Sequence, residues 1–325
     1  MPGVINTTVG SRKGTKSRNL DVVFVHDSTG SQDPYLHSAT QETRNYFKLI
    51  SDGLKNAKHS GPKGTARFRL IAFRDHREQG DAWTIKDTHD FTSDPDVLEK
   101  QLKALRAEGG GDGPEAQLDA LDAALRSAWR GDAQKVVFLI TDSPPHGVEP
   151  GDRVPKSQPS SINTPRIVSD YRKNDIMLFV LGCVPEINTY KRAVHYYKQM
   201  VKDIGTGGAY VPMKVASTKD SARMRFLVVG SALNAYDVAH IEHEYHDWII
   251  DQANSGHDAK EIAKSLHGKL KKEGHKCHEI DHDHSGHCSG YHHNVISHAR
   301  VQDIVDRALD GKRTHKKTVR AKARL

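Results

Sequence analysis

The stretch HDSTGS, His26 to Ser31, directly follows the apolar run LDVVFV, Leu20 to Val25. A short, β-branched apolar run of this kind reads as a strand buried on both faces. The arrangement recurs further along, where KVVFLI, Lys135 to Ile140, runs into TDSPPHG, Thr141 to Gly147. Each segment places an aspartate, Asp27 or Asp142, where a strand ends and the chain turns. Between them lies a third short motif, GGGDGPE, Gly109 to Glu115. In an open α/β sheet, ligands bind outside the carboxyl ends of the strands. What collects there is oxygen: the carboxylates of Asp27, Asp112, Glu115 and Asp142, and the hydroxyls of Thr29 and Ser31. A hard divalent cation such as Mg2+ takes that ligand set.

Working outward, strands are expected at Asp21–His26, Arg67–Phe73, Lys135–Thr141, Ile176–Gly182 and Ala209–Pro212, with an edge strand near Trp83–Ile85. Helical spacing of apolar residues marks Tyr35–Lys58, Asp94–Leu105, Pro114–Trp129, Pro165–Lys173 and Ile187–Ile204. The alternation predicts an α/β fold, a doubly wound and mostly parallel sheet flanked by helices. After Met213 the pattern turns helical. Thr218–Asn254 reads as one long helix or as two broken near Ser231, and another helix follows over Asp258–Lys272. The expected organisation is a flexible basic arm (1–18), an α/β domain (19–215), a helical extension (216–272), a His/Cys-rich segment (273–298), and a short helix with a basic tail (299–325).

The spacing Asp27-x-Thr29-x-Ser31 has a physical reason. Alternate residues of a chain curling through Gly30 point the same way, so a carboxylate and two neutral hydroxyls converge. Bland structural roles compete with this one. Asp27 could cap the following helix, Asp142 could close a turn, and GGGDGP could be a flexible turn before a helix start.

The three ordered motifs resemble the von Willebrand factor A domain with its metal-ion-dependent adhesion site. The family's Asp-x-Ser/Thr-x-Ser motif is matched by Asp27, Thr29 and Ser31, and its late strand-end aspartate by Asp142. The middle motif departs from the commoner lone threonine. Asp112-Gly-Pro-Glu115 instead resembles the Asp-x-Pro-Glu segment in the A-like domains of integrin β chains. That resemblance implies Glu115 on the central ion, with Asp112 near it or on a neighbouring one. FRDHRE (Phe73–Glu78) and DSPPHG (Asp142–Gly147) also look like A domains attached to some atypical alpha-kinases. No kinase portion accompanies them here. The resemblance covers about residues 18 to 215. It implies a Mg2+ ion, with Mn2+ or Ca2+ as substitutes, through which the domain takes a partner protein's Asp or Glu carboxylate.

Catalytic readings fare poorly, and a non-enzymatic protein is expected. GGGDG lacks the Lys-Ser/Thr of a phosphate-binding loop, and no nucleophile elbow surrounds Ser143 and His146. No run approaches the roughly 20 apolar residues of a membrane helix. The first residues lack the apolar core of a secretory signal, and three cysteines make no disulfide framework. A cytoplasmic, reducing setting is therefore expected. The net charge of +7 sits at the two ends, leaving an acidic body between them. The basic tail is a solvated terminus or a contact for nucleic acid or an anionic surface.

HKCHEIDHDHSGHCSGYHHNVISH, residues 275–298, is the second unusual feature. Cys277, His278, His282, His284, His287, Cys288, His292 and His293 are borderline ligands of the type Zn2+ takes, the first six forming the expected second metal set, although no CxxC pairing is present. An ordered Zn2+ site, a loose metal-buffering tract and a solvated loop all remain open. A second functional reading follows: a zinc- or anion-binding module centred on this region, with the α/β domain as its scaffold.

Overall fold

The computed structural model of the chain describes residues 19–56, 64–111, 113–214, 218–282 and 288–309. The expected basic arm, Asp112, His284, His287 and the basic tail from residue 310 lie outside the described residues, as does the side chain of His282. The described chain divides into two units. One comprises residues up to Asp237 together with 276–294; the other comprises 238–275 and residues from 295 onward.

The first unit is built on a six-stranded sheet. In chain order its strands are β1 (Asn19–Asp27), β2 (Ala66–Phe73), β3 (Ile85–Lys86), β4 (Ala133–Thr141), β5 (Ile176–Cys183) and β6 (Tyr210–Met213). Their spatial order is β3-β2-β1-β4-β5-β6. All pairings are parallel except that of β3, which runs antiparallel to β2 at the edge. The expected α/β architecture is thus present. The helices are α1 (Asp33–Asn56), α2 (Pro95–Lys103), α3 (Gln117–Leu125), α4 (Thr164–Lys173) and α5 (Ala193–Ile204), followed by the first part of α6 (Thr218–Asn254).

The period-2 alternation of the strands sorts their side chains into two cores. Val22, Phe24, Phe68, Val136, Phe138 and Phe179 share one core with Tyr46, Phe47 and Ile50 of α1 and Leu227, Val228 and Leu233 of α6. Val23, Val25, Ile71, Val137, Leu139 and Val180 share the other with Leu118 and Leu121 of α3, Ile167 and Tyr171 of α4, and Tyr197 of α5. Phe24, Phe138 and Phe179 lie on adjacent strands, with ring centroids 5.7 and 5.4 Å apart.

Chain direction fixes where a ligand can sit. From β1 the chain moves to β2 on one side, then crosses to β4 on the other. The sheet's switch point is therefore the gap beyond β1 and β4, where crossovers leave in opposite directions. Asp27 closes β1 and Asp142 follows β4 at that gap.

Four elements differ from the sequence reading, the first being α5, expected from Ile187 but begun at Ala193 after a separate 3-10 turn, Glu186–Thr189. α3 begins at Gln117, not Pro114, because the preceding main chain is already engaged. The Glu115 amide donates to Pro144 O at 3.2 Å and the Ala116 amide to Arg74 O at 3.2 Å. α6 runs 37 residues unbroken, so the alternative of two helices falls away. Ser231 is fully buried there, as are Val228, Val229, Ala232 and Ala235, so the buried setting holds the helix through Gly230-Ser231. Finally, the His-rich segment forms two strands, β7 (Lys276–His282) and β8 (Cys288–Val295), of a separate two-stranded sheet.

The second unit holds the remainder of α6, α7 (Ala259–Glu273) and a helix α8 over 298–309. A capping box from Asp258 and Glu261 starts α7, and Gly274 in the left-handed region ends it. Ile262, Leu266 and Leu270 are buried on one side of α7, and Val301, Ile304 and Val305 on α8. Arg307 of α8 pairs with Glu242 of α6 at 2.5 Å. Among the described residues no helix is long and apolar enough to cross a membrane.

Candidate metal centre

Asp27 is buried completely at the end of β1, and three donors hold it there. Its Oδ1 accepts from the Thr29 main-chain N–H at 3.0 Å and from the Thr29 hydroxyl at 2.7 Å. Its Oδ2 accepts from the Thr141 hydroxyl at 3.0 Å. The first two bonds form because Asp-x-Thr curls straight off the strand, as the spacing predicts. Ser31 follows in a 3-10 turn, Gly30–Gln32. Its hydroxyl lies near Asp142, the carboxylate arriving from β4, and favours the charged form of that group. The first and last motifs therefore meet through named side chains.

The middle motif lies across them. The Gly30 amide donates to Gly109 O at 3.2 Å, and the Glu108 amide to Ser28 O at 3.1 Å. Gly110 sits at φ +81°, and a Cβ there would come within 2.9 Å of Thr29 Cβ and 3.0 Å of Glu115 Oε1. The missing side chain of Gly110 is thus what lets Thr29 and the Glu115 carboxylate share one space. Glu115 is itself buried and bridged to Pro145. Of the six expected ligands, Asp27, Thr29, Ser31 and Asp142 gather at the strand ends, and Glu115 borders the space at Gly110 together with Thr29.

Electrostatics mark the spot. Burial, and then the neighbouring charge of Asp142, push the Asp27 carboxyl up from 3.8 to about 7. Burial also raises Asp142, with the Ser31 hydroxyl working against it. Asp142 is 5 % exposed, and its Oδ2 is buried with no hydrogen-bond partner. Two dry carboxylates held side by side disfavour their charged forms, and a cation reverses that preference. The donor set is all oxygen and part anionic, which fits a hard divalent ion.

Several supports escaped the sequence reading. Gln117 Nε2 donates to Thr141 Oγ1 at 3.1 Å and to Ser143 Oγ at 2.9 Å, tying the start of α3 to the Asp142 loop. Tyr197 donates its hydroxyl to Ser143 O at 2.8 Å. Asp81 accepts from the amides of Asp75 at 3.3 Å and Gly110 at 3.2 Å, and so anchors the glycine loop from beneath. Thr141 stands next to Asp142 in sequence and could have been suspected. Asp81, an acid in an unremarkable loop, carries no local signal.

Arg74, Asp75 and His76, which follow β2, are all buried. Arg74 donates to Arg106 O at 2.6 Å, and its guanidinium lies 4.6 Å from the Trp83 ring centroid. His146 lies between Asp75, 2.8 Å from Nε2, and Asp152, 3.1 Å from Nδ1. Burial opposes its charge, but the two carboxylates prevail and raise it from 6.5 to about 9. The phrases FRDHRE and DSPPHG thus meet in one buried ion triad. Cys183 is buried at the end of β5, and burial pushes its thiol well up.

Residues 21–164 match the family model for the von Willebrand factor A domain. The alpha-protein kinase vwkA of Dictyostelium discoideum is 28% identical over 157 residues, 47% of this chain and 24% of that protein. The human von Willebrand factor A domain-containing protein 7 is 32% identical over 143 residues, 42% of this chain and 14% of that protein. The chain therefore spans about a quarter or less of the length of these curated relatives. Among solved structures, the pilus adhesin SpaC from Lactobacillus rhamnosus GG matches with a TM-score of 0.46 and 15% identity, over 69% of this chain and 31% of the adhesin.

Proposed function

Since residues 21–164 form a von Willebrand factor A domain, we propose that this chain binds another protein through a divalent cation held at the switch point of its sheet. Asp27, Thr29, Ser31, Glu115 and Asp142 hold the ion in this reading. Mg2+ is the natural occupant, with Mn2+ or Ca2+ as substitutes. The observation that carries the reading is the pair Asp27 and Asp142: two buried carboxylates side by side, one with an oxygen lacking any donor. Mg2+ tends to retain water in its coordination shell. An ion held by these residues would supply an electrophilic position for an Asp or Glu carboxylate of the partner.

The reading is one of binding, not catalysis. His146, the nearest histidine in sequence to Asp142, is clamped by two carboxylates and is not poised as a base. The Ser143 hydroxyl is engaged by Gln117. The three cysteines are buried, reduced thiols, which favours a reducing compartment such as the cytoplasm. The proposal is tested by capture of an immobilised acidic peptide library in Mg2+ and in chelator. Capture that requires Mg2+ and disappears in Asp27→Asn is the expected result. Capture indifferent to both would overturn it.

A further inference from the structure

We propose a second metal site, for a borderline transition-metal ion such as Zn2+, formed by Asp237, His278 and His293. These residues come from α6, β7 and β8, all within the unit that contains the large sheet. One ligand atom from each lies within 4.8 Å of the others.

The hairpin docks on one stripe of α6. Gly230, Asn234 and Asp237 recur at helical spacing and share that stripe. A Cβ on Gly230 would come within 2.9 Å of Tyr291 Cβ and 3.3 Å of Ile280 Cγ1, so the glycine lets the strands approach. One turn on, Asn234 donates to His278 O. A further turn brings Asp237, whose Oδ2 accepts from the His278 main-chain N–H at 2.8 Å and lies 2.7 Å from His278 Nδ1. His293, from the second strand, stacks on His278 with centroids 4.2 Å apart and rings within 10° of parallel. Asp237 is buried, His278 half-buried and His293 exposed, so an ion can enter from the His293 side.

The chemistry selects the ion. Two imidazoles and one carboxylate make an N2O set, which suits Zn2+, Co2+ or Ni2+ and not Mg2+. Around Zn2+ at about 2.0–2.2 Å, tetrahedral ligand atoms stand roughly 3.3–3.5 Å apart. Small side-chain rotations open the Asp237–His278 pair, now 2.7 Å apart, and draw His293 in. The ion takes the place of the proton on His278 Nδ1 facing Asp237; a neutral imidazole regains it at Nε2, and an imidazolium gives it to solvent. Water fills the fourth position. The ion then pins both strands of the hairpin to α6.

The geometry reassigns the expected zinc ligands. His278 remains, but Cys277 and Cys288 are buried, and Cys288 belongs to the core beneath the sheet. His293 of the same segment stays with it, and Asp237 is the one member from outside the segment.

The test uses the full chain, stripped of metal and titrated with Co2+, whose visible ligand-field bands report tetrahedral nitrogen and oxygen ligation. Wild type, Asp27→Asn, His293→Gln and the double variant His284→Gln/His287→Gln are compared. The expected result is one Co2+ per chain with tetrahedral bands, displaced by Zn2+ and unaffected by excess Mg2+. Bands persist in Asp27→Asn and in the double variant. In His293→Gln, an exposed substitution that leaves the metal-free melting temperature unchanged, affinity falls at least tenfold. Absent bands in wild type, bands unchanged in His293→Gln, or bands lost only in the double variant would overturn the assignment. None of these outcomes bears on the oxygen site, which Mg2+ titration reads separately.

Discussion

Replacing Asp27 with asparagine should have opposite effects with and without metal. Without metal, the Asp27 carboxyl stands at about 7 against an ordinary 3.8. A rise of that size corresponds to at most about 4 kcal/mol between the two protonation states. Its favourable contribution is complete below 3.8 and lost as pH rises through about 7, so at about pH 8.5 the buried anion weighs fully against the fold. Asparagine is nearly isosteric and neutral. Its oxygen can keep the two Thr29 donors. Thr141, which now donates to Asp27, has Ser143 O at 3.3 Å as another acceptor and can receive from the new amide. Hydrogen bonds to a neutral acceptor are weaker than those to an anion, offsetting the gain by about 1–2 kcal/mol. A net stabilisation of about 1–3 kcal/mol follows in chelator, roughly 3–8 °C in melting temperature. In Mg2+ at about 100 times its Kd, wild type gains about 2.7 kcal/mol and the variant gains nothing. Calorimetry of both proteins, in chelator and in Mg2+, reads the crossing directly. An asparagine variant less stable than wild type in chelator at about pH 8.5 would refute the reasoning, as would equal stabilisation of both by Mg2+.

Three further outcomes are expected. Gly110→Ala puts a Cβ against Thr29 and Glu115 at positive φ; it should cost about 1–3 kcal/mol and weaken Mg2+ binding at least tenfold, read by titration calorimetry. His146, raised from 6.5 to about 9 by Asp75 and Asp152 against the pull of burial, stabilises the fold most fully below pH 6.5 and loses that contribution as pH rises through about 9. Urea unfolding in the Asp27→Asn background should show a decline on the order of 2 kcal/mol across that window, absent in His146→Gln. Phe138→Ala removes a fully buried ring stacked between Phe24 and Phe179; a loss of about 3–5 kcal/mol, with Mg2+ affinity of the folded fraction unchanged, separates core from site.

The central strands were legible because they are buried on both faces, which leaves near-continuous apolar runs such as VVFV and VVFLI. The curl of the candidate oxygen site was legible because Asp27, Thr29 and Ser31 are spaced by two, and the Thr29 hydroxyl does meet Asp27. Legibility failed where tertiary contacts decide local structure. Pro114 looks like a helix opener, yet the amides of Glu115 and Ala116 are claimed by Pro144 and Arg74, and the helix waits until Gln117. Gly230-Ser231 looks like a break, yet a buried environment holds α6 straight through it.

The two candidate metal sites show the same contrast in sharper form. The oxygen site gathers its ligands at strand ends, and a doubly wound sheet brings strand ends to one edge whatever the loops contain. A reader who recognises the strands therefore knows where the acids will meet. The Asp237 cluster has no such guarantee. His278 is surrounded in sequence by histidines and cysteines that suggest themselves as ligands, while Asp237 lies 41 residues earlier in an unbroken helix. Only the docking of the hairpin on Gly230 and Asn234 makes it a neighbour. A histidine-rich segment thus suggests a metal without saying which of its members the fold places together. The strand alternation chooses His278 and His293 for the helix side, and the helix supplies the carboxylate that the segment's own composition gave no reason to seek.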